Sequence, residues 1–158
     1  MTKKGIGFMI LIGLGILLSL LLLCGQSLAL FDYNLTVKWG LQESETEVGK
    51  VGIAFAKGFG FGDTVIYLPL LIAGIIGLLK NKNWGFFLML GALAITAYWP
   101  LVCLYAFLSD TVAITLTPDK YVSYSILLPL IAIYGLWGMW YIINWKKKEL
   151  AAGINITD

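Results

Sequence analysis

The sequence predicts an all-α membrane protein with four transmembrane helices, arranged as two tandem hairpins, and short β-strands in its two outer loops. Three observations carry that expectation. Hydrophobic residues make up 59% of the 158 residues and charged ones only 13%, a balance foreign to soluble domains. Four stretches reach the roughly 20 apolar residues that cross a hydrocarbon core about 30 Å thick. The lysines then fall in alternate connections, which assigns the connections to sides.

The first span covers residues 5–30, carries no charge and follows Lys3 and Lys4. Its apolar run is longer than a secretory signal core, so the reading is a retained span, although Ser27, Leu28 and Ala29 offer a small-residue cleavage site. Spans two, three and four cover residues 59–79, 84–108 and 121–145, and only Asp63 breaks their neutrality. Residues 31–58 and 109–120 form the outer loops, and 146–158 a cytoplasmic tail. Lys3, Lys4, Lys80, Lys82 and Lys146 to Lys148, against Glu149 and Asp158, give one side net +5. The other side, with Asp32, Glu43, Glu45, Glu47, Asp63, Asp110 and Asp119 against four lysines, carries −3. Positive-inside bias places both termini in the cytoplasm and the chain in the plasma membrane. Trp84, Trp140, Tyr141 and Trp145 then mark the inner boundary, and Tyr33 and Tyr121 the outer one.

Shifting the chain by 78 positions pairs Lys4 with Lys82, Gly7 with Gly85, Phe8 with Phe86, Gly13 with Gly91 and Asp32 with Asp110. Pro69 and Pro129 open similar stretches in spans two and four. Duplication of a two-span hairpin would produce this pattern, and chance matching of leucine-rich spans is its rival. After Asp32, Tyr33, Leu35, Val37, Trp39 and Leu41 alternate with polar residues or glycine, and after Asp110, Val112, Ile114 and Leu116 alternate with Ala113, Thr115 and Thr117. A period of two predicts a strand in each outer loop. Ser44 and Glu47 then read as a capping box, opening an amphipathic helix through Val48, Val51, Phe55 and Phe59 that bends at Gly58, Gly60 and Gly62. Four spans, cytoplasmic termini and outer strands resemble the layout of claudin-like four-span proteins. That resemblance is architectural, because the first outer loop is short and has no cysteine pair.

The chain has neither histidine nor arginine, which removes imidazole metal ligands, histidine general bases and guanidinium phosphate clamps. No catalytic residue, metal site or cofactor is predicted, and the charge is too small and scattered for nucleic acid. Cys24 and Cys103 share a depth in the outer half; they read as small buried residues or as a disulfide between spans one and three. Asp63 is the first candidate site residue, since a carboxylate at the edge of a span has a partner or a task. It reads either as the N-cap of the second membrane helix, neutralised by Lys57, or as a ligand-binding group with Lys57, Tyr67, Tyr98 and Tyr124 around an outer pocket. Two functions follow. One is a non-enzymatic interaction or accessory module, partnered by the bilayer and by a second copy or another membrane protein. The alternative is a binder or carrier of a hydrophobic small molecule or lipid at a pocket near Asp63. A lipid-processing enzyme using Asp63 as acid or base would need a second polar partner, for which Lys57 is the sole nearby candidate.

Overall fold

The computed structural model describes residues 5–151, so Lys3, Lys4 and the tail from residue 152 lie outside the described residues. Five helices carry the fold: α1 (Ile6–Phe31), α2 (Tyr33–Lys38), α3 (Glu45–Leu79), α4 (Asn83–Ser109) and α5 (Pro118–Ala151). Four of them, α1, α3, α4 and α5, are long and apolar enough to cross a membrane. At 35 and 34 residues, α3 and α5 each extend about 50 Å and so project beyond a core of about 30 Å. The projecting parts meet above the bundle at what will be called the loop end.

The bundle is assembled in sequence order, α3 against α4 and α4 against α5, with α1 closing the ring between α3 and α5. A three-residue turn joins α3 to α4. Asn81 sits there at φ 54°, a left-handed conformation that asparagine tolerates better than most residues, and Lys82 N–H reaches back to the Gly77 carbonyl at 2.8 Å. So short a turn forces the two helices together, and the residues facing each other are glycines. A Cβ on Gly77 would collide with the Gly85 backbone, and one on Gly74 would lie 2.8 Å from the Met89 backbone. Gly135 plays the same part between α5 and α4, where a Cβ would fall 2.6 Å from Ala97 N. Apolar helices gain no hydrophobic drive from leaving lipid, so backbone proximity and the dispersion contacts it permits hold them. Phe8, Leu11, Leu71, Met89, Leu93 and Ile142 fill the space between. Lipid-type side chains such as Met9, Leu20, Leu101, Leu130 and Ile133 point outward.

Among the described residues there is no strand, which corrects the expectation for both outer loops and removes the outer strands from the claudin-like layout. The first segment is α2 instead. The Asp32 carboxylate accepts the Leu35 N–H at 3.0 Å and starts a helical turn, and Gly40 at φ 71° ends it. The same cap recurs at Asp110, whose carboxylate accepts Val112 N–H at 3.2 Å and Ala113 N–H at 2.9 Å. A local carboxylate cap outcompetes a strand ladder here, because each candidate strand lacks a neighbour to pair with. Asp32 and Asp110 also share a backbone conformation, with φ/ψ of −142°/87° and −141°/80°.

The expected bend at Gly58, Gly60 and Gly62 is also absent. The helix breaks earlier, at Gly49 (φ 66°, ψ 175°), one turn after the Ser44–Glu47 start. Past that break, the backbone of α3 stays helical through the three glycines; Gly60 is buried against α1, where a Cβ would sit 3.0 Å from the Gln26 carbonyl. Two wider, π-type turns then follow at matching depth, Leu23–Ser27 in α1 and Asp63–Tyr67 in α3. Each inserts an extra residue into the helical ladder and loosens backbone bonds locally.

The close contact between α3 and α4 sets the expected outcome of one pair of substitutions. Gly77→Leu should destabilise the fold by about 3 kcal/mol or prevent it, because the Gly85 backbone cannot retreat. Gly91→Leu, where nothing lies within 4 Å of the added Cβ, should change stability by less than about 0.5 kcal/mol. Reversible unfolding in detergent, followed by circular dichroism, measures both.

Candidate functional site

The helix α3 carries a short open groove, about 290 Å³ in volume and lined by Phe55, Gly58, Phe59, Gly62 and Asp63. These residues fall at intervals of three and four, so one face of one helix makes the whole groove. Gly58 and Gly62 form its floor, and a Cβ added at either would meet nothing within 4 Å. Phe55 and Phe59 form its walls and stay 68% and 56% exposed. Asp63 closes the end that points into the bundle's long axis.

Asp63 does not cap a helix start, contrary to one sequence expectation. It lies inside α3 at φ −63° and ψ −41°, where its own N–H bonds back to the Phe59 and Gly60 carbonyls. Its carboxylate makes no hydrogen bond or ion pair among the described residues. Lys57, the expected neutralising partner, is engaged elsewhere: its ammonium lies 5.5 Å from the centroid of the Tyr33 ring. A partly buried carboxylate without a counter-charge on an apolar helix face is costly in lipid.

Of the other candidate residues, Tyr67 follows Asp63 by one turn on the same side of α3, and Tyr98 and Tyr124 have other surroundings. Tyr67 is fully buried on the inner side of α3 and donates to Thr96 Oγ1 at 2.6 Å, while Thr96 donates onward to the Ala92 carbonyl at 2.8 Å. Tyr98 is exposed on the outside of α4. Tyr124 stands at the loop end of α5, where its hydroxyl donates to Glu43 at 2.7 Å and its ring stacks on Phe107 at 5.3 Å. Cys24 and Cys103 are free thiols, exposed and half-buried respectively.

Sequence reasoning missed a polar network at the loop end that fixes the groove's surroundings. The Glu47 carboxylate, buried among α2, α3 and α5, accepts from Ser44 N–H at 2.7 Å, Ser44 Oγ at 2.8 Å and Lys120 Nζ at 2.7 Å. Lys120 also donates to the Gln42 carbonyl at 3.1 Å, and Thr115 N–H to the Glu47 carbonyl at 2.9 Å. Desolvation by burial, with Glu43 and Glu47 close by, pushes Tyr33 up to about 12, so its phenol stays protonated and donates to the Glu43 carbonyl at 2.9 Å. Gln42 inserts its amide beneath this layer and donates to the Gly25 carbonyl at 2.8 Å, inside the wide turn of α1. Thr64 and Ser27 join the two wide turns directly, oxygen to oxygen, at 2.8 Å. Polar residues recurring within apolar stretches, Gln26, Ser27 and Thr64 among them, were the available signal.

No protein-family model matches the chain, and neither a curated protein nor a solved structure does.

Two substitutions test how the network is held. Lys120→Met should cost about 3 kcal/mol by leaving the Glu47 carboxylate buried without its cation, and adding Glu47→Gln should recover most of that loss. A double-mutant cycle on detergent unfolding reads the coupling. Gln42→Ala should cost about 1–2 kcal/mol, since the buried Gly25 carbonyl loses the amide that donates to it. The same unfolding assay measures it, and an unchanged stability would show that the amide is replaceable.

Proposed function

We propose that this chain is a non-enzymatic binding module of the plasma membrane that holds a hydrophobic small molecule or a lipid in the outer-leaflet groove of α3. The supporting observation is the groove itself, an open, glycine-floored notch between the exposed Phe55 and Phe59 that ends on the uncompensated Asp63 carboxylate. Ligand sites are mostly apolar concavities with a few placed polar groups, and an intramembrane ionisable residue is a functional candidate by default. In this reading the loop end faces outward and both termini face the cytoplasm, as the lysine distribution favours. The duplication of a two-helix hairpin belongs to the same reading. Asp32 and Asp110, with like backbone angles and like caps, support it.

An interaction module would use the outer loops and the amphipathic segment, and the loop residues expected as strands form a helix and a turn. What remains of it is the amphipathic loop-end part of α3, with Val51 and Phe55 exposed. Both alternatives therefore converge on one helix.

Filling the groove tests the proposal without disturbing the bundle, because Gly58 and Gly62 have free space outward. The paired substitution Gly58→Leu and Gly62→Leu should leave unfolding unchanged or slightly improved, leucine being the better helix former by about 0.5–1 kcal/mol per site. Lipid and small-molecule mass spectrometry on protein purified from native membranes should then show at least one species enriched with the wild type and depleted several-fold in the variant. Identical profiles would overturn the proposal.

A further inference from the structure

Resting on that reading of the groove, we propose that its ligand is an amphiphile with a cationic ammonium headgroup, bound by Asp63 and the rings of Phe55 and Phe59. The charge is the first reason. Asp63 has no counter-ion among the described residues; the nearest lysine in sequence, Lys57, lies over Tyr33, and Lys120 is paired with Glu47. A carboxylate held at the rim of the hydrocarbon attracts a cation, and two flanking phenyl faces favour a weakly hydrated one such as an alkylammonium.

Depth is the second reason. Asp63 stands 17 residues before Lys80, which closes α3 at the opposite end, so the two are about 25 Å apart along the axis. In a core of about 30 Å that leaves Asp63 only a few Å inside the boundary, within reach of a headgroup whose chain lies against the exposed side of α3. Val65, Ile66 and Ile72, all exposed, continue from the groove toward the bilayer centre and offer that chain an apolar track.

Size and symmetry argue against the other occupants. A transmembrane helix about 10 Å across cannot enter a groove of about 290 Å³ cut into one helix, which suits a single headgroup. A second copy would meet the first about a two-fold axis normal to the membrane, placing like residues at like depth and carboxylate against carboxylate. Glycine at both floor positions lets the headgroup approach the helix backbone; any larger residue would lift it away from Asp63.

The test uses the full chain in phosphatidylglycerol bilayers at pH 8 and high salt, with two nitroxide-labelled stearyl probes. One probe has a trimethylammonium headgroup and the other a hydroxyl headgroup. Electron paramagnetic resonance gives the motionally restricted fraction of each. The wild type should prefer the cationic probe by about tenfold, Asp63→Asn should reduce that preference to about twofold or less while leaving the neutral probe unchanged, and Asp63→Glu should retain most of it. Gly58→Leu with Gly62→Leu should release both probes. Equal restriction of the two probes by the wild type, or an undiminished preference in Asp63→Asn, would overturn the headgroup assignment. Provided the groove-filling variant still releases the neutral probe, that outcome leaves the groove reading standing; no release of either probe would sink both.

Discussion

Everything in this fold follows from the contact of Gly77 with Gly85. Helices in lipid have no water to escape, so they associate only where their backbones can approach, and the short turn at Lys80 to Lys82 delivers two glycines to one point. That contact aligns α3 with α4, which brings Gly74 to Met89 and presents Ala97 to Gly135 of α5. The tight interface thus spreads from the turn outward. By the level of Phe59 it has run out, and the groove is lined there by residues of α3 alone.

On the other side of α3 the chain meets α1 by a different means. Here the contact is polar, built from the two wide turns, the Thr64–Ser27 bond and the Gln42 amide on the Gly25 carbonyl. Widened turns weaken the backbone ladder, and in lipid each loosened carbonyl needs another donor. Gln42 supplies one from outside the helix, and the Thr64 hydroxyl donates to the Gly60 carbonyl at 2.7 Å from within. Deeper in the bundle, Tyr134 gives its proton to the Leu11 carbonyl at 2.8 Å and ties α1 to α5. The first span is therefore fastened by hydrogen bonds at several levels as well as by the core packing of Phe8 and Leu11.

Much of this was legible before any coordinates. Length and hydropathy specify a span because both are set by bilayer thickness, so the four long helices and their order could be read directly. The loop strands could not. An alternation over six to nine residues is also compatible with a helical turn, and the deciding term was the Asp32 carboxylate finding the Leu35 N–H. Asp63 stood out as the lone charge within a span, and it does line the groove. Of its companions Tyr67 stays one turn away, Tyr98 turns outward from α4, and Tyr124 stands against Phe107, about 16 Å further along α4 than the Thr96 partner of Tyr67. Helix rotation depends on which glycines find each other, a pairwise property that no single stretch of sequence contains.

The break at Gly49 has a genetic corollary. At φ 66° and ψ 175° the backbone occupies a region open in practice to glycine alone, and this one residue turns the chain from the Ser44–Glu47 cap into the long axis of α3. Whichever glycine codon encodes it, every amino-acid replacement reachable by a single base change carries a β-carbon. Position 49 should therefore be silent in a library of point mutants selected for folding, tolerating synonymous change alone, while Gly58 nine residues on, with open space around it, should fold with almost any apolar side chain.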